Sequence, residues 1–299
     1  MNKDSDIIVS SFHRVNVEHI LDLYTGYDEY GRKTLLLIAE NTPLKMNSSN
    51  IIEVQIGLRQ DTKWAISFIL KDIAYLEMFE CFCDDIIKSS SKVKTKKLSE
   101  AYVCSRYLMW QKMLKQKKLE ILSYSKIKGL IGELYFLKYK LIPLIGKEKA
   151  INAWIGPSKA KQDFVCDDTW YEIKTTHIGS KSVNITSVEQ LDVQCNGHLI
   201  VLCLEDTSME YKNKITLNNL IEELEKDLDD DLLCVFLQRL FEQGYVHNTE
   251  YDKYCFRFSK LDSYFVTKTF PCLRYSDIPG SVKNIKYELL LNDLISYKE

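Results

Sequence analysis

Asp163, Glu172 and Lys174 fall within the stretch Gln162-Asp-Phe-Val-Cys-Asp-Asp-Thr-Trp-Tyr-Glu-Ile-Lys-Thr-Thr176. Asp167-Asp168 reads as a two-residue hairpin loop between apolar runs. With that loop, Cys166 faces Thr169, Val165 faces Trp170, Phe164 faces Tyr171, and Asp163 faces Glu172. Directly opposed side chains have Cβ atoms about 4.5–5.5 Å apart, so two like charges there destabilise unless something compensates. A divalent cation compensates naturally. Mg²⁺ takes one or two carboxylates and completes its shell with water and phosphate oxygens. Alternation puts Lys174 on the face of Glu172, about 7 Å further along the strand. An ammonium there can orient a water that attacks phosphorus, or stabilise the charge that accumulates in the transition state.

Glu133 is a further candidate. It lies in Gly129-Leu-Ile-Gly-Glu-Leu-Tyr-Phe136, a helical stretch whose two interior glycines each cost about 1 kcal/mol relative to Ala. That cost suggests close approach to a neighbouring element, which would bring Glu133 to the metal edge as a third ligand or a water-positioning base. A solvent-facing glutamate on a helix whose glycines serve packing alone fits the same residues. His177, just past the strand, either reaches a phosphate or is incidental, and Trp154 and Trp170 fit packing better than base stacking. Gly129-x-x-Gly132 lacks the third glycine and preceding strand of a dinucleotide fingerprint, and no Walker-type Gly-Lys-Ser/Thr loop occurs, so ATP use is not expected.

The elements that must hold these residues follow from periodicity. Residues 1–71 carry β-type runs at Lys33 to Ala39, Ile51 to Leu58 and Trp64 to Leu70. Helical spacing then appears at Ile73, Leu76, Phe79, Cys83 and Ile87, and less strictly from Leu98 to Leu114. A third helix is expected from about Ser125 to Leu141, ended by Pro143. Short strands are expected at 164–166, 170–175, 183–186 and 199–204, then one long acidic helix over about 217–242, then strands around 254–258 and 263–268. The pattern gives an α/β protein in two parts, an N-terminal β-then-helical module over 1–122 and an α/β domain over 123–299.

Composition sets bounds on the rest. The chain has 299 residues, 45% of them hydrophobic, with 40 Lys+Arg against 42 Asp+Glu, a balance unlike an intrinsically disordered chain. No apolar stretch approaches the roughly 20 residues of a membrane span, and the start lacks the apolar core of a secretory signal. The nine cysteines fit reduced thiols in a cytoplasmic protein, and Cys81 and Cys83 are separated by one residue where zinc knuckles usually have two or more. The near-zero net charge conceals two blocks. Ile86 to Lys118 holds ten basic residues and one acid, net +9, interleaved with Tyr102, Tyr107 and Trp110; Glu205 to Asp231 holds ten acids and three lysines, net -7. The first block either follows a phosphate backbone or is a solvated helix face.

The carboxylate hairpin resembles that of the PD-(D/E)XK nuclease superfamily, the restriction-endonuclease-like fold. More narrowly, the chain is similar to a PD-(D/E)XK family found near restriction-modification-like, phage-defence genes. The likeness is carried by Gly129 to Phe136, Trp154-Ile-Gly-Pro157, Asp163-Phe164, Tyr171-Glu-Ile-Lys-Thr-Thr176, Ser187-Val-Glu-Gln-Leu191, Phe270-Pro271, Ile278-Pro-Gly-Ser-Val282 and Tyr287. It covers most of residues 125–290, and the N-terminal module matches only in general character. The resemblance implies metal-binding carboxylates at Asp163 and Glu172, a catalytic lysine at Lys174 and an acidic helix residue at Glu133. Gln162 departs from the proline in the superfamily's name. The resemblance also implies a supporting role for Gln190, although Ser187-x-x-Gln190 reads equally as a helix capping box.

Together these readings point to a restriction-endonuclease-like mixed sheet flanked by helices, and to Mg²⁺- or Mn²⁺-dependent hydrolysis of DNA phosphodiesters. In that scheme Asp163, Glu172 and Glu133 hold metal, Lys174 activates or positions the nucleophile, and Gln190 supports the site. DNA is the expected partner, with an ATPase or methyltransferase subunit beside it and no membrane. The alternative is a catalytically silent nuclease-like subunit that binds nucleic acid or a partner protein in a defence complex.

Overall fold

The computed structural model describes residues 11–115, 121–155 and 161–299. Lys117, Lys118 and Pro157, which the sequence reading used, lie outside them. The chain forms two compact units, residues 1–120 and 121–299, and the architecture is mixed α/β, with an N-terminal strand region followed by helices.

The first unit is an antiparallel sheet followed by two helices. Its strands are β1 (Ser11–Arg14), β2 (Asp22–Tyr27), β3 (Lys33–Ala39), β4 (Ile52–Leu58) and β5 (Trp64–Leu70), in the order β1-β2-β3-β5-β4. The helices are α1 (Leu76–Ser90) and α2 (Lys96–Lys115). Their inner faces meet the sheet through an aromatic cluster in which Phe82 packs edge-on to Phe68 and Trp110. Tyr102, Tyr107 and Trp110 are buried. The rings interleaved with the basic block are therefore core residues and present no stacking platform to a base. Arg106 is also buried, paired to Asp85, while Lys88 pairs with Asp84, and Lys96 with Asp22 and Glu40. Cys81 is exposed and Cys83 buried, so the closest cysteine pair of the sequence points to different faces of α1.

The second unit is built on a four-stranded mixed sheet. Its helices begin with α3 (Tyr124–Phe136), which passes through a π-helical turn at Leu137–Leu141 into α4 (Ile142–Ile145), followed by α5 (Lys147–Ala153). Pro143 was expected to end this helix near residue 141. Instead the helical path continues through it into α4, and the widened π turn before it relieves the clash its ring would make with the preceding turn. The helix stops at Gly146, whose positive φ of 84° turns the chain out.

The strands are β6 (Phe164–Val165), β7 (Trp170–Thr176), β8 (Ser182–Ile185), β9 (Gly197–Asp206), β10 (Phe256–Val266) and β11 (Tyr287–Leu290). Four of them pair as β10-β9-β7-β6, with β7 parallel to β9 and the other pairs antiparallel, and β8 pairs with β11 as a separate ribbon. β10 is continuous where two strands were expected. A bulge between Phe258 and Lys260 interrupts its alternation, and that break in period mimics a strand end. The acidic helix expected over 217–242 is two helices, α6 (Leu217–Lys226) and α7 (Asp230–Glu242). Asp229 caps α7 by accepting the Leu232 N–H at 3.0 Å. One face of the sheet, with Trp170, Leu199, Val201 and Tyr264, packs with Val183, Ile185 and Leu289 of the ribbon. The other face meets α3. A Cβ on Gly132 would lie 2.3 Å from the Thr175 methyl, so the glycine permits the close helix–strand approach. Gly129 has open space around it and lines the cleft instead.

Candidate active site

The hairpin pairs Phe164 with Tyr171 and Val165 with Trp170, and Cys166 N–H donates to the Thr169 carbonyl at 2.8 Å. This is the register that puts Asp163 level with Glu172. β6 ends before Asp163, and the Asp163 carboxylate takes the place of a strand there, accepting the Ile173 N–H at 2.7 Å. Glu172 and Lys174 alternate with Ile173 and share the Trp170 face of β7. Glu133 comes from α3, which packs on the opposite face through Gly132.

The four residues line one cleft of about 900 Å³, together with Gln190 and Gly129. Lys174 Nζ pairs with Glu172 Oε1 at 2.7 Å and donates to Gln190 Oε1 at 3.1 Å. Gln190 Nε2 donates to the same Glu172 oxygen at 2.6 Å. The amide of Gln190 is oriented in turn by Thr186, whose N–H and hydroxyl both donate to Gln190 Oε1, at 2.9 and 3.1 Å. Ser187 makes no side-chain cap and residues 188–190 form a single 3-10 turn, so the Gln190 amide is engaged by Glu172, Lys174 and Thr186 and not by a capping box.

The electrostatics of this cleft are those of crowded, dehydrated acids. Burial, reinforced by the Asp163 charge, pushes the Glu133 carboxyl up to about 8. Burial pushes Asp163 up to about 6 against the opposing pull of the Ile173 N–H and Lys174. Glu172, which is 1% exposed, is raised well above the usual carboxylate range by burial and then by Asp163, with Lys174 opposing. Its Oε2 is buried and has no hydrogen-bond partner. Leaving a buried carboxylate oxygen bare costs about 1–3 kcal/mol or more.

That bare oxygen, in a set of hard carboxylate donors, suits a divalent cation. Among the described residues no three His, Cys, Asp or Glu side chains already close around one point as a finished ligand shell. Mg²⁺ does not need one, because one or two carboxylates with water and substrate oxygens complete its octahedron.

Several contributors to the site were not singled out as such in the sequence. Trp154 is buried and donates its indole N–H to Glu133 Oε2 at 2.9 Å, and Gln243 Nε2 reaches the same atom at 3.4 Å. Gln162, in the place of the superfamily's proline, donates to the carbonyls of Glu189 at 2.6 Å and Gln190 at 3.3 Å, tying the start of the hairpin to the turn that carries Gln190. Lys126, Lys128 and Lys181 line the cleft and bring positive charge to an acidic floor. The signal for the first two in the sequence was the basic edge of the Glu133 helix, Lys126-x-Lys128. His177 also lines the cleft but is exposed and hydrogen-bonded to Ser180 at 3.1 Å. Trp170 is a core residue whose indole donates to the Cys195 carbonyl at 3.0 Å.

No helix among the described residues is long and apolar enough to cross a membrane. No curated protein and no solved structure matches the chain. One family model does, over residues 1–292, and so spans the N-terminal unit as well as the unit with the carboxylates. The resemblance read from the sequence was concentrated in 125–290; the family relation extends further. With the hairpin register, the shared carboxylate cleft and this match in hand, the chain belongs to the family described as "Putative PD-(D/E)XK family member, (DUF4420)".

Proposed function

We propose that the protein is a metal-dependent endonuclease that hydrolyses DNA phosphodiester bonds in a restriction or phage-defence setting. The observation that carries this reading is the buried, partnerless Glu172 Oε2 in a cleft with Asp163, Glu133 and a lysine. Asp163 and Glu172 would hold Mg²⁺ or Mn²⁺, with Glu133 on the helix side. Such an ion supplies Lewis-acid polarisation of a phosphoryl oxygen and lowers the pKa of a water it binds. Lys174 places its ammonium where negative charge develops on the phosphoryl group. Gln190 holds the Lys174 and Glu172 head groups at fixed separation, and Thr186 fixes Gln190. Trp154 and Gln243 orient the Glu133 carboxylate from behind. Lys126, Lys128 and Lys181 attract the polyanionic substrate to the rim.

The test is incubation of the purified full chain with supercoiled plasmid and linear duplex in Mg²⁺ or Mn²⁺. Cleavage is expected to depend on the metal and to fall by about 10²-fold or more in Asp163→Ala, Glu172→Ala and Lys174→Ala. Nicking that persists in Asp163→Ala and Lys174→Ala would overturn the mechanism.

A further inference from the structure

The motif Ile278-Pro-Gly-Ser-Val282 and the segment that follows it take no part in the carboxylate cleft. The end of the motif, Val282, and the residues that follow it to Lys286 form one wall of a second groove, about 640 Å³ in volume, whose lining includes Lys161, Lys283 and Lys286 with Thr186, Ser187 and Tyr275. Thr186 lines both grooves, so the second continues from the first at the residue that orients Gln190.

Positive charge is in excess in this groove, where three lysines face one acid, Glu189, whose carboxylate is drawn on by Lys161 alone of the three. Lys161, Lys283 and Lys286 are exposed, and none of them forms an ion pair among the described residues. The acid on the lining is Glu189, and its carboxylate already accepts the Tyr275 hydroxyl, which holds it below the usual range. Lys88 and Lys96 of the first unit differ, since each is paired to an acid of its own unit.

These lysines also stand on anchored backbone. Lys161 precedes Gln162, whose amide is bonded to the carbonyls of Glu189 and Gln190. Lys286 precedes Tyr287, which pairs with Ile185, the residue before Thr186. Between them, the Val282 N–H donates to the Pro279 carbonyl at 2.9 Å, and Asn284 turns the chain at a φ of 58°. Both walls of the groove are thus tied to the turn that carries Gln190.

A nucleic-acid strand carries a phosphate at every nucleotide, so a strand with one phosphate at Lys174 must set its neighbours down beyond the cleft. We propose that the second groove is a phosphate-backbone subsite that holds nucleotides flanking the scissile bond of the same strand, with Lys161, Lys283 and Lys286 as the contacts. This rests on the nuclease reading of the carboxylate cleft.

The test is binding of a labelled DNA duplex to the full chain across a salt titration. All binding measurements use Lys174→Ala as background, so that cleavage does not interfere, and cleavage itself is measured in parallel on the wild type. Replacing Lys283 and Lys286 together by Gln is expected to flatten the plot of log affinity against log salt by about 1.8, two counterions at about 0.9 each. Lys283→Arg with Lys286→Arg keeps the slope, and the exposed Lys212→Gln leaves it unchanged. Wild-type cleavage combined with an unaltered slope in the double Gln variant overturns the subsite and leaves the nuclease reading standing. A flattened slope with no cleavage by the wild type supports a phosphate-backbone groove at these lysines and overturns the nuclease reading and, with it, the placement beside a scissile bond. Absence of DNA binding by the background protein overturns the subsite, and with no cleavage by the wild type it overturns the nuclease reading as well.

Discussion

Each unit of this protein buries a cluster of charge, and the two clusters are finished to different degrees. In the first unit Asp85 is 6% exposed and Arg106 3%. Arg106 donates through Nε and Nη2 to the two Asp85 oxygens at 2.8 and 2.7 Å, and Trp110 adds its indole N–H at 2.7 Å. The Arg106 guanidinium meets the Asp85 carboxylate, and both oxygens of that carboxylate are used. In the second unit Glu133, Asp163 and Glu172 share a cleft with Lys174, and an oxygen of the most deeply buried acid is bare. The first cluster has the composition of a structural clasp between α1 and α2. In the second, three carboxylates share one lysine in direct contact, Lys174 on Glu172, and an oxygen is left bare, the condition expected where a ligand completes the site.

The contrast can be broken most forcefully at Asp85. Asp85→Ala leaves Arg106 buried without its partner and is expected to destabilise the first unit by about 3–5 kcal/mol, read from denaturant unfolding. A loss under 1 kcal/mol would mean that the clasp carries little.

Packing beneath the acid cluster gives a smaller effect. Gly132→Ala drives a Cβ against the Thr175 methyl and is expected to cost about 1–3 kcal/mol, because α3 must lift from β7. Thr175→Ser removes the opposing methyl and should restore part of that loss in the double variant, whereas additive costs would show that the two positions do not meet.

Titration sharpens the comparison further. Glu133 and Asp163 have raised pKa values in the folded protein, about 8 and about 6. Between the ordinary carboxylate range and pH 8 the folded state therefore binds more protons than the unfolded one, so their contribution to stability is present at low pH and is lost as pH rises through those values. Glu133→Gln isolates this contribution. Without divalent metal, the variant should match wild type near pH 5 and become the more stable of the two as pH approaches 8; a gap independent of pH would contradict the shift. Gln162→Pro gives the smallest effect expected, about 1 kcal/mol from the lost bonds to Glu189 and Gln190, with a reduced cleavage rate as the Gln190 turn loosens.

The parts of the site governed by local rules were legible in the sequence. The Asp167-Asp168 loop fixes the hairpin register, and a period of two then decides which residues lie level and which share a face. Gly132 signalled its close approach through helix propensity alone. What tertiary packing decides was not legible. Trp154 reads as an ordinary core tryptophan, because nothing local shows that α5 brings its indole to Glu133, 21 residues earlier. The rings of the +9 block read as a possible stacking surface because helical spacing does not say which face is inward, and α2 turns Tyr107 and Trp110 into the aromatic core. β1, β2 and β11 escaped because their residues, such as Asp22-Leu-Tyr-Thr-Gly-Tyr27, show no clean apolar alternation. Some charges of the two blocks find partners within their own units, as Arg106 does with Asp85 and Glu223 with Lys138.

The most direct measurement is thermal melting of the full chain, wild type and Glu172→Gln, in EDTA and in Mg²⁺. If the bare, crowded Glu172 carboxylate is a strain that a divalent cation relieves, Glu172→Gln melts higher than wild type in EDTA, and Mg²⁺ raises the melting temperature of wild type far more than that of the variant. A variant that melts lower than wild type in EDTA and gains as much from Mg²⁺ would show that Glu172 is a satisfied structural acid and that the metal, if bound, sits elsewhere.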